Sequence, residues 1–415
     1  MITTVGFSQH KPYARMLLDT LCAPYFDGRG YYNKGEERAA NFIAEQYKEI
    51  GLKSVNNDYL QQFKLPTNAI TGSLSLAMNR KILKAGKDFL VDASSLSYCN
   101  KAKVIWLPKE ALLDITVFKA MLPDLAGRFV IIDTSLIAKE SREVKGQVYE
   151  MILFLKYSSD IVLEGVIEVV SEKLTYGASQ TKALRPHVIV LKEKIPKRLK
   201  ELSLQVESEF VENHSSQNVI GFIEGEISDK YVFVTAHYDH LGRMGKEVYF
   251  PGANDNASGV AMLLSLAKDF AMQKKPKYSL VFICFGAEEI GLVGSQYYVN
   301  HPMYPLEDIQ FLLNLDILGT GDDGVQVVNG SKHQNLFDNL VALNEKDHLL
   351  KQVKIRGEAC NSDHCFFSEK GVPSFFMYTL GGIAHYHNIY DKSATLPLTE
   401  YDDLFVLLKK FIKEI

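Results

Sequence analysis

The run KYVFVTAHYD (230–239), the turn GANDNASG (252–259) and the segment VAMLLSLAKDFAMQ (260–273) decide the fold. The first begins as a near-continuous apolar strand, the kind buried on both faces of a mostly parallel sheet. The second is a glycine- and asparagine-rich turn. The third carries apolar residues at helical spacing, with Ser258 near its start. The unit then repeats. YSLVFICFGA (278–287) reads as a strand and EEIGLVGSQYYV (288–299) as a helix, while QFLLNLDIL (310–318) and VPSFFMYTL (372–380) read as two more strands. Strands alternating with helices predict an α/β fold, a mostly parallel mixed sheet between helices, with its chemistry at the carboxyl ends of the strands.

Working outward, residues 12–65 read as helical. EERAANFIAEQYKEIGL (36–52) repeats apolar residues at three- and four-residue steps and stops at Gly51. Between 66 and 199 the character changes to short β-rich runs, such as KVIWL (103–107), RFVIIDT (128–134) and HVIVL (187–191). MILFLKYSSDIVLEGVIEVV (151–170) mixes helix-like and strand-like stretches. No catalytic cluster stands out in this block. The expected organisation is one domain built from 1–65 and 200–415, with a smaller β-rich domain, 66–199, inserted into it.

A chain of 415 residues is long enough for two such units. The apolar share of 47% and charged share of 23% are those of an ordinary globular protein, which excludes extended disorder. A net charge of −4 gives no reason to expect nucleic acid or an anionic membrane as a partner. No apolar run approaches the roughly 20 residues that span a bilayer. The opening MITTVGFSQHKPYARML lacks the pattern of a signal peptide, so the protein either stays inside the cell or has had a leader removed. Five cysteines imply no disulfide framework, and spacing alone does not decide whether Cys360 and Cys365 are bridged.

Five potential metal ligands follow successive strands: His237, Asp255, Glu289, Asp316 and His387. Two imidazoles and three carboxylates suit zinc, although cobalt or manganese would also be accepted. Five protein ligands are too many for one catalytic zinc, which takes three and keeps a position open. They suit two ions roughly 3.5–4 Å apart, bridged by a carboxylate. Each has an ordinary alternative. His237 alone would be structural, Asp255 a turn acceptor, and the pair Glu288–Glu289 a charged first helical turn. Together they divide the work of a hydrolytic site, with Glu289 on metal and Glu288 taking a proton from water and returning it to the leaving group. Asp239, two residues past His237, is placed to accept the second ring proton of that histidine. His385 competes with His387 for the last ligand position. Tyr378 reads as core or as an oxyanion donor.

AHYDHLG (236–242), GANDNASG, FGAEEIGLVGS (285–295), LNLDILG (313–319) and SDHCFFSEKGVPSFF (362–376) with YHNIYD (386–391) resemble the di-zinc aminopeptidase family. That family includes bacterial leucyl aminopeptidases, and its relatives include glutamate carboxypeptidase and the transferrin receptor. The likeness covers about 216 to 396 and extends to GRGYYNKGEERAANFIAEQYKEIGL (28–52) and QNVIGFIEG (217–225).

The resemblance implies a zinc exopeptidase-like fold with an inserted protease-associated-like domain. It also implies two zinc ions per chain and hydrolysis of the N-terminal peptide bond of peptide substrates. His237 and Asp316 would hold one ion, Glu289 and His387 the other, and Asp255 would bridge them. Glu288 would be the general base, Asp239 the partner of His237, and Asp255–Asn256 a cis peptide. SDH (362–364) would have a supporting or substrate-facing role. Asn388-Ile389 stand where the family often has Thr-Pro, and His385 where an acidic residue is common, which leaves the substrate subsites open. The alternatives are a single-zinc glutaminyl cyclase and a non-catalytic receptor-like relative. Because such relatives usually carry a leader, export (periplasmic, secreted or surface-anchored) is the expectation, with cytoplasmic residence as the alternative. Oligomeric state is left open.

Overall fold

A computed structural model describes residues 10–55 and 57–415. The reading of the opening stretch therefore falls, for residues 1–9, outside the described part. Four parallel strands form the centre of the main sheet, in the order Tyr278–Phe285, Ile227–His237, Ile309–Leu315, Ser374–Thr379. Antiparallel neighbours flank them. Glu201–Ile223 pairs with Tyr278–Phe285, and Val325–Val328 pairs with Ser374–Thr379. Val232, Phe233 and Val234 are all but fully buried on both faces, as a central parallel strand requires. Each such side chain contributes about 1.5–3 kcal/mol by leaving water.

Helix Ser258–Ala271 is buried on nearly all sides, packed between the sheet and helices His10–Leu21 and Tyr401–Glu414. That burial explains its apolar sequence all round. Helix Gly35–Ile50 ends where the pattern said. Gly51 adopts φ +87, and its N–H reaches the carbonyls of Tyr47 and Lys48.

Two readings need correction. The helical reading of 12–65 fails at its end, because strand Leu60–Met78 begins at Leu60 and pairs antiparallel with Glu201–Ile223. Its alternation, with Phe63, Leu65 and Thr67 buried, is a period-two signal that the earlier helical pattern masked. The helix read over 288–299 begins only at Val293. Residues 288–292 form a turn instead.

Leu60–Met78 and Glu201–Ile223 are continuous strands that lead into and out of the 66–199 block. Within it, Tyr98–Trp106, Arg128–Asp133, Gly165–Val170 and His187–Leu191 run parallel. Helices are present too, the longest being Arg142–Tyr157. Among the described residues no helix is long and apolar enough to cross a membrane.

This block buries an ionic cluster. Lys156 Nζ lies 3.0 Å from Asp92, and His187 lies 3.5 Å from both Asp92 and Glu168. Burial opposes a charged imidazole, but the neighbouring carboxylates of Asp92 and Glu168 outweigh it and raise the His187 pKa. A raised pKa gives stabilisation that is complete below the unfolded value of about 6.5 and fades as pH climbs through the folded value. His187→Gln is therefore expected to cost roughly 1–3 kcal/mol near pH 6 and distinctly less near pH 9. Thermal unfolding of both proteins at the two pH values checks this. An equal cost at both would contradict a charged His187.

Candidate metal centre

The parallel strands deliver the site at their carboxyl ends. His237 is the last residue of its strand, Asp316 follows Leu315 directly, and Glu288 comes three residues after Phe285. Asp255 sits in the turn before helix Ser258–Ala271, and His387 in the loop after Ser374–Thr379. The structure brings all five sequence-proposed ligands, and Glu288 with them, to one cleft of about 180 Å³. His385 is not among the residues lining that cleft.

Asp255 stands between the two histidines. Its Oδ1 is 3.4 Å from His237 Nε2, and its Oδ2 is 3.0 Å from His387 Nε2. His237 Nε2 is also 3.4 Å from Asp316 Oδ1, and His387 Nε2 is 3.0 Å from Glu289 Oε2. Ligand atoms about 2.0–2.2 Å from one tetrahedral ion lie roughly 3.3–3.6 Å apart, so the two gaps at His237 fit donors that share an ion, and the two at His387 are slightly shorter. Among the described residues the buried Asp316 Oδ1 has no hydrogen-bond partner, which suits a group held for a cation. His237, Glu288 and Asp316 bring ligand atoms within 4.8 Å of one another, as do His237, Asp255 and Glu289. The short gaps to His387 argue for pairing Glu289 with His387 rather than with His237.

The charges tell the same story. Burial would lower the pKa of His237, yet Glu288 and Asp316 hold it well above the ordinary imidazole value. Burial likewise opposes a charged His387, and Glu289 with Asp255 raises it to about 11. Glu289 falls to about 2, because His387 and His240 outweigh burial and Asp255. Burial lifts Glu288 well above the carboxylate range, with Asp363, Glu289 and Asp316 adding to the lift against His237. Protons on the two imidazoles balance carboxylates that a dication would otherwise neutralise, so metal uptake here should release protons.

The local sequence explains why these groups converge. Asn254 Oδ1 accepts from Gly319 N, Asn256 Nδ2 donates to the Leu315 carbonyl, and Ser258 Oγ accepts from Leu318 N. The polar residues of GANDNASG thus stitch the Asp255 turn to the strand end that carries Asp316. The Asp391 carboxylate accepts from the N–H groups of Asn254 and Asp255. Ser362, in the SDH triplet, accepts from Asn314 and donates to Asp316 Oδ2. The Asp255–Asn256 peptide is cis, as the resemblance implied. Ala287, Ile317 and His387 have φ of 58, 56 and 53, left-handed values that non-glycine residues adopt at a cost and that cluster at functional sites.

Asp239 is the hub of the site. Its two oxygens accept the N–H groups of Glu288 and Glu289, and Tyr31 donates its hydroxyl to Oδ2. Those bonds hold 288–292 as a turn and delay the helix to Val293. His237 Nδ1 lies 3.2 Å from the Asp239 backbone carbonyl and 3.6 Å from its carboxylate. The nearer acceptor for that ring is thus the backbone rather than the side chain read from the sequence. Tyr378 lines the cleft, and its hydroxyl accepts from Arg356.

Sequence reasoning missed three groups. His240 is fully buried with Nδ1 2.6 Å from Glu289 Oε1, so it orients that carboxylate. Arg29, also fully buried, donates to the carbonyls of Leu21, Tyr238, Pro251 and Gly252, tying the first helix to both turns of the site. Tyr386 lines the cleft and stacks on His387 at 3.8 Å. The HYDH run was the available signal for His240. Cys360 and Cys365, whose pairing spacing left open, are bridged.

Residues 218–412 match the sequence profile of peptidase family M28. That match spans 195 residues (218 to 412), all in the part of the chain that carries the site. The chain is similar to the aminopeptidase YwaD of Bacillus subtilis, 27% identical over 293 residues, which are 69% of this chain and 57% of that protein. The chain thus matches little more than half the length of that relative. Two solved structures share the fold. One is a zinc aminopeptidase from Bacillus subtilis (TM-score 0.72, 22% identity, 97% of this chain and 94% of that one). The other is a peptidase M28 precursor from Shewanella amazonensis (TM-score 0.71, 16% identity, 97% and 92%).

Proposed function

We propose that this chain is a zinc-dependent aminopeptidase that hydrolyses the N-terminal bond of peptides with two zinc ions per chain. The observation that carries the reading is Asp255, which offers one oxygen to each of two histidines, each with a further carboxylate of its own. Five donors so divided suit two ions and overfill one. His237 and Asp316 would hold the first ion, Glu289 and His387 the second, and Asp255 would contribute to both. When bound, the zinc pair would make water nucleophilic near neutral pH and stabilise charge developing on the scissile carbonyl oxygen.

The protein's own groups do the rest. The Glu288 side chain, 4.0 Å from His237 Nε2, is the base that removes the proton from the attacking water and passes it to the leaving amine. Asp239 fixes its backbone and that of Glu289. His240 holds Glu289 by its other oxygen. A cleft of about 180 Å³, below the range of most ligand pockets, fits the end of a chain better than its middle. The names of the relatives support zinc and aminopeptidase activity. In domain terms, 1–65 and 200–415 form the catalytic unit and 66–199 the insert.

The test is a panel of aminoacyl chromogenic amides with and without an Nα-acetyl block, run beside zinc analysis. Hydrolysis of the free-amine substrates only, with two zinc ions per chain, is the expected result. One zinc with cyclisation of N-terminal glutamine would replace the reading by a cyclase. No turnover by metal-loaded protein would leave a receptor-like role.

A further inference from the structure

We infer that residues 173–180, a strap from the 66–199 block, position His387 for metal and make that block a working part of the site. The inference rests on the dinuclear reading above. A ligating imidazole needs its second ring nitrogen held by an acceptor, which fixes the tautomer and aims the ligating nitrogen. For His237 that acceptor is the carbonyl of Asp239, from its own loop. Among the described residues His387 finds no such partner in its own loop. Its Nδ1 lies 3.1 Å from the carbonyl oxygen of Tyr176, 211 positions away in sequence. A carbonyl can only accept, so Nδ1 carries a proton there, and Nε2, which faces Asp255 and Glu289, is the nitrogen left to bind metal once its own proton is released.

The clamp is reciprocal, because Tyr176 N–H donates to the His387 carbonyl at 2.9 Å. Two bonds therefore grip one residue whose φ of 53 is unfavourable for an L side chain and needs outside support. The strap is itself fixed. Tyr176 is buried and stacks on Phe250, with centroids 4.5 Å apart and planes 8° from parallel. Ser179 O accepts from Asn68 N, which ties the strap to the long strand entering the block. At the strap's two ends, Lys173 donates to the Ala384 carbonyl and Gln180 to the carbonyl of Ile290, the residue after Glu289. One short segment thus touches both walls of the candidate centre.

Tyr176 is a positioning residue, so its test reads metal affinity rather than rate alone. Zinc binding is followed by calorimetry for metal-stripped wild type, Tyr176→Ala, Tyr176→Phe and His387→Ala. Wild type is expected to show two binding events, one of which His387→Ala removes. Tyr176→Ala, which loses the stack but keeps the peptide, should weaken that same event by roughly 10- to 100-fold and leave the other unchanged. Tyr176→Phe, which keeps the stack, should restore it. The double variant Lys173→Ala/Gln180→Ala releases the strap through partly exposed side chains and guards against a folding defect; a smaller loss in the same event is expected. Two events in wild type with both unchanged in the strap variants, or both weakened equally, would overturn this inference alone. Fewer than two ions in wild type would remove the dinuclear reading and this inference with it.

Discussion

Glu288→Gln is expected to bind two zinc ions per chain as wild type does, yet to turn over aminoacyl amides roughly a hundred- to ten-thousand-fold more slowly. Glutamine keeps the size and shape of glutamate but cannot take a proton from water. The backbone of residue 288 is held by Asp239, and Glu289, not Glu288, is the carboxylate that faces His387. The substitution therefore removes the base and leaves the proposed ligands where they are. Steady-state kinetics and zinc analysis on the same preparation give the result. Activity near that of wild type would rule out Glu288 as the base. Loss of zinc along with activity would make it a ligand.

Asp255→Ala should have the broadest effect of any single change. Its two oxygens face the two histidines, so its loss is expected to weaken both ions and bring activity to background. An ion present at a thousand times its Kd stabilises the fold by about 4 kcal/mol, and two such ions by about twice that. Wild type should therefore gain many degrees in thermal midpoint on adding zinc, and Asp255→Ala should gain little. Circular dichroism of the metal-free proteins confirms that the variant still folds. A variant that keeps one ion at full affinity would contradict the bridging role.

Much of the fold and site is legible in the sequence because both depend on short-range order. A buried parallel strand is an apolar run, and in this architecture the chemistry follows its end. His237, Asp255, Glu289 and Asp316 can therefore be read one after another. What is lost is whatever depends on contacts across long separations. The 288–292 segment reads as a helix start, and the Asp239 carboxylate, arriving from 49 residues earlier, takes its first two N–H groups and helps to hold it as a turn. His240 has no local reason to be functional until Glu289 is seen beside it. Arg29 looks like a loop cation, although its guanidinium organises two turns more than 200 residues further on. Tyr176 contacts the site chiefly through its backbone, and a peptide group carries no signature in a sequence.

The 66–199 block is the clearest case. It holds no motif, and its strands read as an accessory unit. Yet Leu241, Met244 and Phe250, from the loop after the His237 strand, pack into the same core as its Phe89 and Val188. The loop that follows the first candidate ligand is thus seated in the core of that block, while the ligand stands at the end of a strand of the main sheet.

Anomalous diffraction at the zinc edge, from crystals grown with zinc, should show two peaks roughly 3.5–4 Å apart. Asp255 should touch both, His237 and Asp316 one, and Glu289 and His387 the other. A single peak, or ions bound elsewhere with Asp255 free of both, would contradict the dinuclear reading.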